Sequence, residues 1–232
     1  TVKGGGHGDY RLITLAPSSV QEMADFVGLG FDLAFKYNNP AMILADGIIG
    51  QMMEKVVLPP FTPRRTDDEI RKECPWATLG KVGGRKRNVI TSLELDAAVM
   101  EENNLRFQAK YKKIEENEVR FQEIMCDDAE YLLVAFGSSA RICQKVVELA
   151  REQGIKLGLL RPITLWPFPT NILKEYAEKV KGMLVVELNA GQMVEDVRLA
   201  VNGKVKVEHF GRLGGIVFTP DEILHALKEK LF

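Results

Sequence analysis

The sequence predicts an α/β protein in which short buried strands alternate with helices. The apolar run Leu12–Ala16 is followed by Pro17-Ser18-Ser19, by a helix to about Tyr37 and by a second apolar run at Ala41–Ala45. A strand, a helix and a strand in this order indicate a parallel pair joined by a crossover. Ser19 and Glu22 have the spacing of a capping box, which favours a helix start at this point.

The last hundred residues repeat this alternation. Four further strands are predicted at 131–136, 155–160, 183–187 and 205–210. Helices are predicted between them, the first from the turn Gly137-Ser138-Ser139 to about Gln153, and the others at 170–180, up to about 201 and at the end of the chain. The last helix has Thr219 at its cap, Pro220 at its first position and Glu222 three residues after the cap. This rhythm favours a doubly wound sheet of four or five strands.

The segment Phe61–Glu130 differs from both flanks, since it carries 28 of the 63 charged residues. Residues from Leu93 to about Ile124 contain few glycines and predict a long helix, which follows a loop rich in Pro, Gly and Arg. The sequence therefore predicts three parts, 1–55, 56–129 and 130–232. The first and third are α/β units of similar plan, and the second connects them.

Composition excludes several classes of protein. With 232 residues and a net charge of -1, the chain offers no overall field for nucleic acid or an anionic membrane. No apolar run approaches the ~18 residues of a membrane span. Three scattered cysteines predict neither disulfides nor a metal site, and they favour a reducing, cytoplasmic location. His209 and His225 stand alone, so no metal ligand is predicted. The start at Thr1 without methionine suggests an excised or processed piece.

The loop Gly4–Asp9 is the first candidate site. Its glycines allow backbone amides, His7 and Asp9 to approach an anionic ligand, although the same residues also suit a flexible connector. Ser18-Ser19 and Ser138-Ser139 follow strands at helix starts, where either phosphate binding or simple capping is expected.

Polar residues at the ends of three later strands form the second candidate. Arg161 opens the stiff segment Arg161–Pro169, Asn189 follows the next strand, and Arg212 follows the last. Because the carboxyl ends of parallel strands share one edge, these groups are expected to converge. Arg161 suits a carboxylate or phosphate, whereas Trp166 and Phe168 suit packing against a partner. The basic loop 81–87 suits either a nucleotide phosphate or solvent.

Five sequence blocks carry a resemblance to a known family: GGGHGDYRLITLAPSSVQEM, NPAMILADGIIGQMMEKV, RPITLWPFP, VVELNAGQM and FGRLGG. In this order they resemble the α subunit of 2-oxoacid:ferredoxin oxidoreductases, in particular the 2-ketoisovalerate type. The resemblance covers essentially the whole chain. It implies that residues 1–55 are the end of a domain that binds the thiamine pyrimidine ring. It also implies that residues 130–232 form a transketolase C-terminal-like domain.

The resemblance implies oxidative decarboxylation of a 2-oxoacid to an acyl-CoA, with thiamine diphosphate as cofactor and ferredoxin as electron acceptor. The family's activating glutamate precedes this stretch, so no catalytic residue is assigned and the chain alone is expected to be inactive. The family's GDG motif is also absent, because Ala45 precedes Asp46-Gly47 and no partner Asn follows. Asp46 is therefore interpreted as a structural strand-end residue.

The expected partners follow from the same resemblance. A β subunit is expected to bind Mg²⁺ and the diphosphate, and that subunit or another one is expected to hold the iron-sulfur clusters. The chain is expected to form a homo-oligomer or a heteromer. His7, Asp9, Arg161 and Asn189 remain as candidate contacts at the edge of the cofactor site. Two alternatives stay open, a non-catalytic α/β assembly module and a CoA-binding module that uses Arg161, Arg212 and the basic loop.

Overall fold

The computed structural model describes residues 8–78, 80–81 and 83–232 and contains two sheets with helices around them. This confirms the predicted α/β class. The strands are β1 Ile13–Leu15, β2 Ala41–Ile43, β3 Phe121–Ile124, β4 Tyr131–Val134, β5 Leu157–Pro162, β6 Thr164–Trp166, β7 Gly182–Glu187 and β8 Lys206–Gly211. The helices are α1 Val20–Tyr37, α2 Gly47–Gln51, α3 Asp67–Glu73, α4 Ala97–Asn117, α5 Gly137–Glu152, α6 Thr170–Ala177, α7 Met193–Val201 and α8 Pro220–Leu231.

The larger sheet has five strands in the order β3-β5-β4-β7-β8. The neighbours β5, β4, β7 and β8 are parallel, and β3 is antiparallel to β5. Helices α6 and α7 cover one face, and α5 and α8 cover the other. The sheet is therefore doubly wound, with its topological reversal at β4, where ligands of such folds bind beyond the carboxyl ends of the strands.

The smaller sheet has β1 at its centre, between parallel β2 and antiparallel β6. Strand β6 comes from the proline-rich segment that follows β5, so this segment joins the two sheets. The Trp166 ring packs edge-on against Tyr111 of α4, with 5.8 Å between centroids, in a core that also contains Ile13 and Leu15 of β1. The Trp166–Pro167 peptide bond is cis.

Three sequence predictions are corrected at the element level. The long helix ends at Asn117 rather than near Ile124, because residues 121–124 pair with the outer edge of β5 and satisfy its backbone groups. The predicted turn 137–139 is instead the first turn of α5. At α1, Ser19 Oγ accepts from Glu22 N at 3.1 Å, but the Glu22 carboxylate binds the Ser18 amide instead of closing the box. The capping box at Thr219 and Glu222 is confirmed.

Between β2 and α4 the chain forms a long arm, whose described residues 52–78, 80–81 and 83–96 lie mostly on the surface and contain the short helix α3. Gln21 of α1 holds the arm at Val57 by donating to its carbonyl at 2.9 Å and accepting from its amide at 2.8 Å. Trp76 stacks on Phe35 near the other end of α1, with centroids 6.2 Å apart. The arm thus follows α1 and is fixed at both ends of that helix. Within the part of the chain described above, no helix has the length and hydrophobicity needed to cross a membrane.

Candidate functional site at the carboxyl edge of the five-stranded sheet

The start of α5, directly after β4, binds a carboxylate of the chain itself. Asp46 Oδ2 accepts from the Ser138 amide at 2.8 Å, and its Oδ1 caps α2 by accepting from the Ile49 amide at 3.0 Å. Gly137 has a positive φ of 58°, and a Cβ there would lie 2.8 Å from Asp46 Oδ2. Glycine is therefore required for Asp46 to reach the helix N-terminus, where amides and dipole favour negative charge.

The start of α7, after β7, is filled in the same way by Glu187. This buried carboxylate accepts from the Met193 amide at 2.7 Å and from the Val194 amide at 3.0 Å. Asn189 Nδ2 donates to Glu187 at 3.1 Å, and Asn189 Oδ1 accepts from the Gly191 amide at 2.8 Å. Both ends of the Asn189 amide thus hold the loop around Glu187.

A third carboxylate, Glu54, lies at the start of α1. It accepts from the Val20 amide at 2.9 Å and from the Arg141 guanidinium of α5 at 2.8 Å. The Val20 hydrogen bond, together with Arg141, lowers the pKa of Glu54 below its ordinary value. Glu54 therefore ties the first α/β unit to the third.

Arg161, at the end of β5, is buried and bound within the chain. Its Nη2 lies 2.7 Å from each carboxylate oxygen of Glu22, and its Nη1 donates to Gln122 at 3.0 Å. This charge-assisted contact orients Glu22 toward the Ser18 amide. The described geometry thus gives Arg161 a role in joining α1 to the five-stranded sheet.

A cavity of about 450 Å³ lies beside Asn189, within the size range of small-molecule sites. Four apolar side chains line it (Leu44, Phe136, Leu165 and Phe168), together with Met193 and five polar ones (Glu187, Asn189, Gln192, Glu195 and Asp196). His209 Nε2 lies 3.8 Å from Glu187. Burial lowers the pKa of His209, and the Glu187 charge opposes this shift only in part. The cavity combines apolar walls with a carboxylate-rich side, which suits a ligand with an apolar body and a donor group.

Asp9 lies away from this cavity, against α4. Its carbonyl accepts from Gln108 at 3.3 Å, and it borders a separate depression with Arg11 and Glu101. His7 lies outside the described residues. The three described candidates, Asp9, Arg161 and Asn189, therefore have different contact partners. Sequence reasoning did not assign Asp46, Glu54 and Glu187 to helix starts, although Asp46 directly before Gly47 is a signal for an N-cap.

Two family models match consecutive parts of the chain. Residues 6–125 match the model of the thiamine diphosphate-binding domain of pyruvate flavodoxin/ferredoxin oxidoreductase. Residues 129–223 match the model of pyruvate:ferredoxin oxidoreductase core domain II. The chain belongs to the pyruvate flavodoxin/ferredoxin oxidoreductase family. This confirms the family resemblance seen in the sequence.

Relatives within this oxidoreductase family include ketoisovalerate oxidoreductase subunits VorB. The chain is 46% identical to that of Methanothermobacter marburgensis and 45% identical to that of Methanothermobacter thermautotrophicus, each over 98% of this chain. The 2-oxoglutarate synthase subunit KorA of Methanothermobacter marburgensis is 33% identical over 96% of this chain. The chain spans 63% of the length of the two VorB proteins and 65% of KorA.

Solved structures show the same fold. A 2-oxoglutarate:ferredoxin oxidoreductase from Magnetococcus marinus superposes with a TM-score of 0.77 at 21% identity, covering 98% of this chain and 43% of that one. A split-gene transketolase superposes with a TM-score of 0.51 at 11% identity, covering 95% of this chain and 57% of that one. The transketolase likeness agrees with the predicted fold class.

The described residues of this oxidoreductase family member do not fit the diphosphate of the thiamine cofactor. Three helix starts that follow strands, those of α1, α5 and α7, donate to Glu54, Asp46 and Glu187 and so do not leave these amides open to a diphosphate. Across residues 8–78, 80–81 and 83–232, no group of three or more His, Cys, Asp or Glu has a geometry for a metal ion. A second anion would meet carboxylates at each of these positions.

Proposed function

We propose that this chain is part of the α subunit of a thiamine diphosphate-dependent 2-oxoacid:ferredoxin oxidoreductase that acts on 2-ketoisovalerate. The reaction is oxidative decarboxylation to an acyl-CoA, with the electrons passed to ferredoxin. The observation that carries the substrate assignment is the difference in identity within one organism, 46% to its ketoisovalerate subunit and 33% to its 2-oxoglutarate subunit.

Within that enzyme, we assign residues 1–55 to the end of the pyrimidine-binding domain, 56–129 to a connector and 130–232 to the transketolase C-terminal-like domain. The boundary between the two family matches, at 125 and 129, supports the second division. His7 and Asp9 are the proposed contacts at the edge of the site, and Asn189 borders it while its amide holds the loop around Glu187. Arg161 contributes by orienting Glu22, since its guanidinium is already bound inside the chain.

The diphosphate and Mg²⁺ are assigned to a β subunit, and the iron-sulfur clusters to that or a further subunit, in a cytoplasmic complex. The carboxylates at the three helix starts support this division, because they take the positions that a diphosphate would need. Titration of the 232-residue chain with thiamine diphosphate and Mg²⁺ is expected to show no submicromolar binding by calorimetry. The assembled complex is the positive control, and submicromolar binding to the chain alone would overturn the division.

The substrate assignment is tested with the full-length α subunit co-expressed with its partner subunits. CoA-dependent reduction of ferredoxin is measured with 2-ketoisovalerate and with 2-oxoglutarate. We expect kcat/KM to be at least about tenfold higher for 2-ketoisovalerate, since one misplaced polar group in a pocket costs this much or more. Equal or reversed values would contradict the assignment. Asn189→Ala is expected to lower the rate, and Asn171→Ala, in a different surface groove, is the matched control.

The structure gives no support to the alternative of a CoA-binding module in this chain. Three of the cations that suggested it have partners within the chain. Arg161 binds Glu22, Arg212 binds Glu222, and Arg85 of the basic loop donates to the Ala77 carbonyl at 2.6 Å. The assembly alternative is addressed by measuring complex assembly beside the rate, because Asn189 also holds the loop around Glu187. A lower rate in a complex that still assembles supports the enzyme, whereas loss of assembly supports the structural module.

A further inference from the structure

Residues 85–95, the last part of the arm before α4, present apolar side chains to solvent. Val89, Ile90, Leu93 and Leu95 are 74%, 78%, 70% and 88% exposed. Single exposed apolar residues are common, but four within seven positions form an apolar strip, and such strips mark contact surfaces.

The backbone of this segment is also available for pairing. Among the described residues, positions 88–92 make no backbone-to-backbone hydrogen bond and belong to no helix or strand. None of residues 85–95 has a positive φ, so the chain is free to adopt an extended strand. Exposed amides and carbonyls beside apolar side chains are a template for strand addition.

The charged residues of the segment indicate which partner strand pairs with it. Positive residues precede the apolar strip (Arg85, Lys86 and Arg87), and negative residues follow it (Glu94 and Asp96). If two such segments run antiparallel with Ile90 opposite Ile90, Lys86 of each lies opposite Glu94 of the other. Opposite charges in directly facing positions stabilise a strand pair. This internal complementarity fits a second copy of the same segment, since an unrelated partner does not require it.

We propose that residues 85–95 pair antiparallel with the same residues of a second copy of this chain, with a two-fold axis at Ile90. Each copy presents the same surface to the other, as a two-fold interface requires. The pairing places Ile90 against Ile90, bonds the open backbone groups and forms two Lys86–Glu94 ion pairs. It depends on surface residues alone and is independent of the substrate assigned above.

The axis position is tested by cross-linking. Facing residues of antiparallel strands have Cα atoms about 4.5 to 5.5 Å apart, which suits a disulfide. Ile90→Cys is therefore expected to form a covalent dimer on mild oxidation. Leu58→Cys, 77% exposed elsewhere on the arm, is the matched control and is expected to stay uncrosslinked. The native cysteines are buried and do not compete. A chain that stays monomeric, or equal cross-linking at both sites, would overturn the proposal.

The ion pairs are tested by charge reversal, with the dimer dissociation constant measured by sedimentation. Lys86→Glu and Glu94→Lys are each expected to weaken the dimer about tenfold, because two facing pairs become repulsive. The double variant restores opposite charges and is expected to return within about threefold of the original constant. Lys112→Glu with Glu115→Lys, on the exposed part of α4, controls for the charge change. Unaffected single variants, or a double variant that stays weak, would contradict the register.

Discussion

The two sheets of this protein differ in how completely their own chain covers them. In the five-stranded sheet, β5 and β7 are buried along their whole length between two helix pairs. In the three-stranded sheet, β2 is an edge strand that is only half-buried, and Val27, Phe31 and Phe35 on the outer face of α1 are exposed. The larger unit thus builds most of its core from its own residues, with Ala16 and Leu44 added from the smaller one, whereas the smaller unit takes β6 and a packed tryptophan from outside itself.

The junction between the two units differs from both apolar cores, because its main side-chain contacts are polar. Glu22 with Arg161, Glu54 with Arg141 and Asp46 with the Ser138 amide cross it. Of these contacts, the buried Arg161 depends most on its partner, since a lone buried charge is costly. The comparison therefore predicts that substitutions in the core of the larger unit and at the junction lower the free energy of unfolding strongly. Substitutions on the outer face of α1 are predicted to lower it little.

The largest loss is expected from Leu184→Ala in β7. This side chain is fully buried, and its truncation leaves a cavity that lowers the free energy of unfolding by about 3 kcal/mol. Leu58→Ala on the arm is the matched control and is expected to stay within about 0.5 kcal/mol of the original chain. Urea unfolding measures both. Similar losses for the two variants would contradict the contrast between core and arm.

A comparable loss, about 3 kcal/mol, is expected from Arg161→Met, since Glu22 then loses the cation that holds both of its oxygens. Glu22→Gln is expected to cost a similar amount, because it leaves the more buried Arg161 without its counter-charge. The Arg161→Met, Glu22→Gln double variant completes a thermodynamic cycle in urea, and its coupling energy measures the contact. A coupling near zero would show that the junction does not depend on this pair.

A smaller loss of unfolding free energy, which depends on pH, is expected from Glu118→Gln. Glu118 joins α1 to the end of α4. This buried carboxylate accepts from Lys36 and Tyr37, each at 2.6 Å, and from Arg120 at 2.9 Å. Burial raises the pKa of Glu118, but the three hydrogen bonds outweigh burial and hold it below its ordinary value of 4.5.

A lowered pKa in the folded state means that Glu118 stabilises the fold above the pKa of the unfolded chain. That contribution is lost as the pH falls below about 4.5 toward the lower folded value. The urea midpoints of the original chain and of Glu118→Gln are measured between pH 3 and pH 7. The difference between the two midpoints is expected to become smaller as the pH falls. A difference that is constant with pH would contradict the assignment.

The sequence predicted the four parallel strands and the helices of the larger unit well, because each has its own apolar run or start signal, such as Thr219 before Pro220. It missed the strands β3 and β6, and β3 was wrongly placed in a helix. Both pair with strands distant along the chain, which local propensity does not contain. At the site, Arg161 and Asn189 were placed at the correct sheet edge. The contacts of Arg161 with Glu22 and of Asn189 with Glu187 depend on the folded geometry and were not predicted.

The smallest effect is expected on the outer face of α1, from Phe31→Ser. Because the Phe31 side chain is 65% exposed, its removal is expected to change the free energy of unfolding by less than about 0.5 kcal/mol. Phe26→Ser, on the buried face of the same helix, is the matched control and should cost several times more. If Phe31→Ser destabilises the isolated chain as much as Phe26→Ser does, both faces of α1 are packed within this chain, and the smaller unit is as self-contained as the larger one.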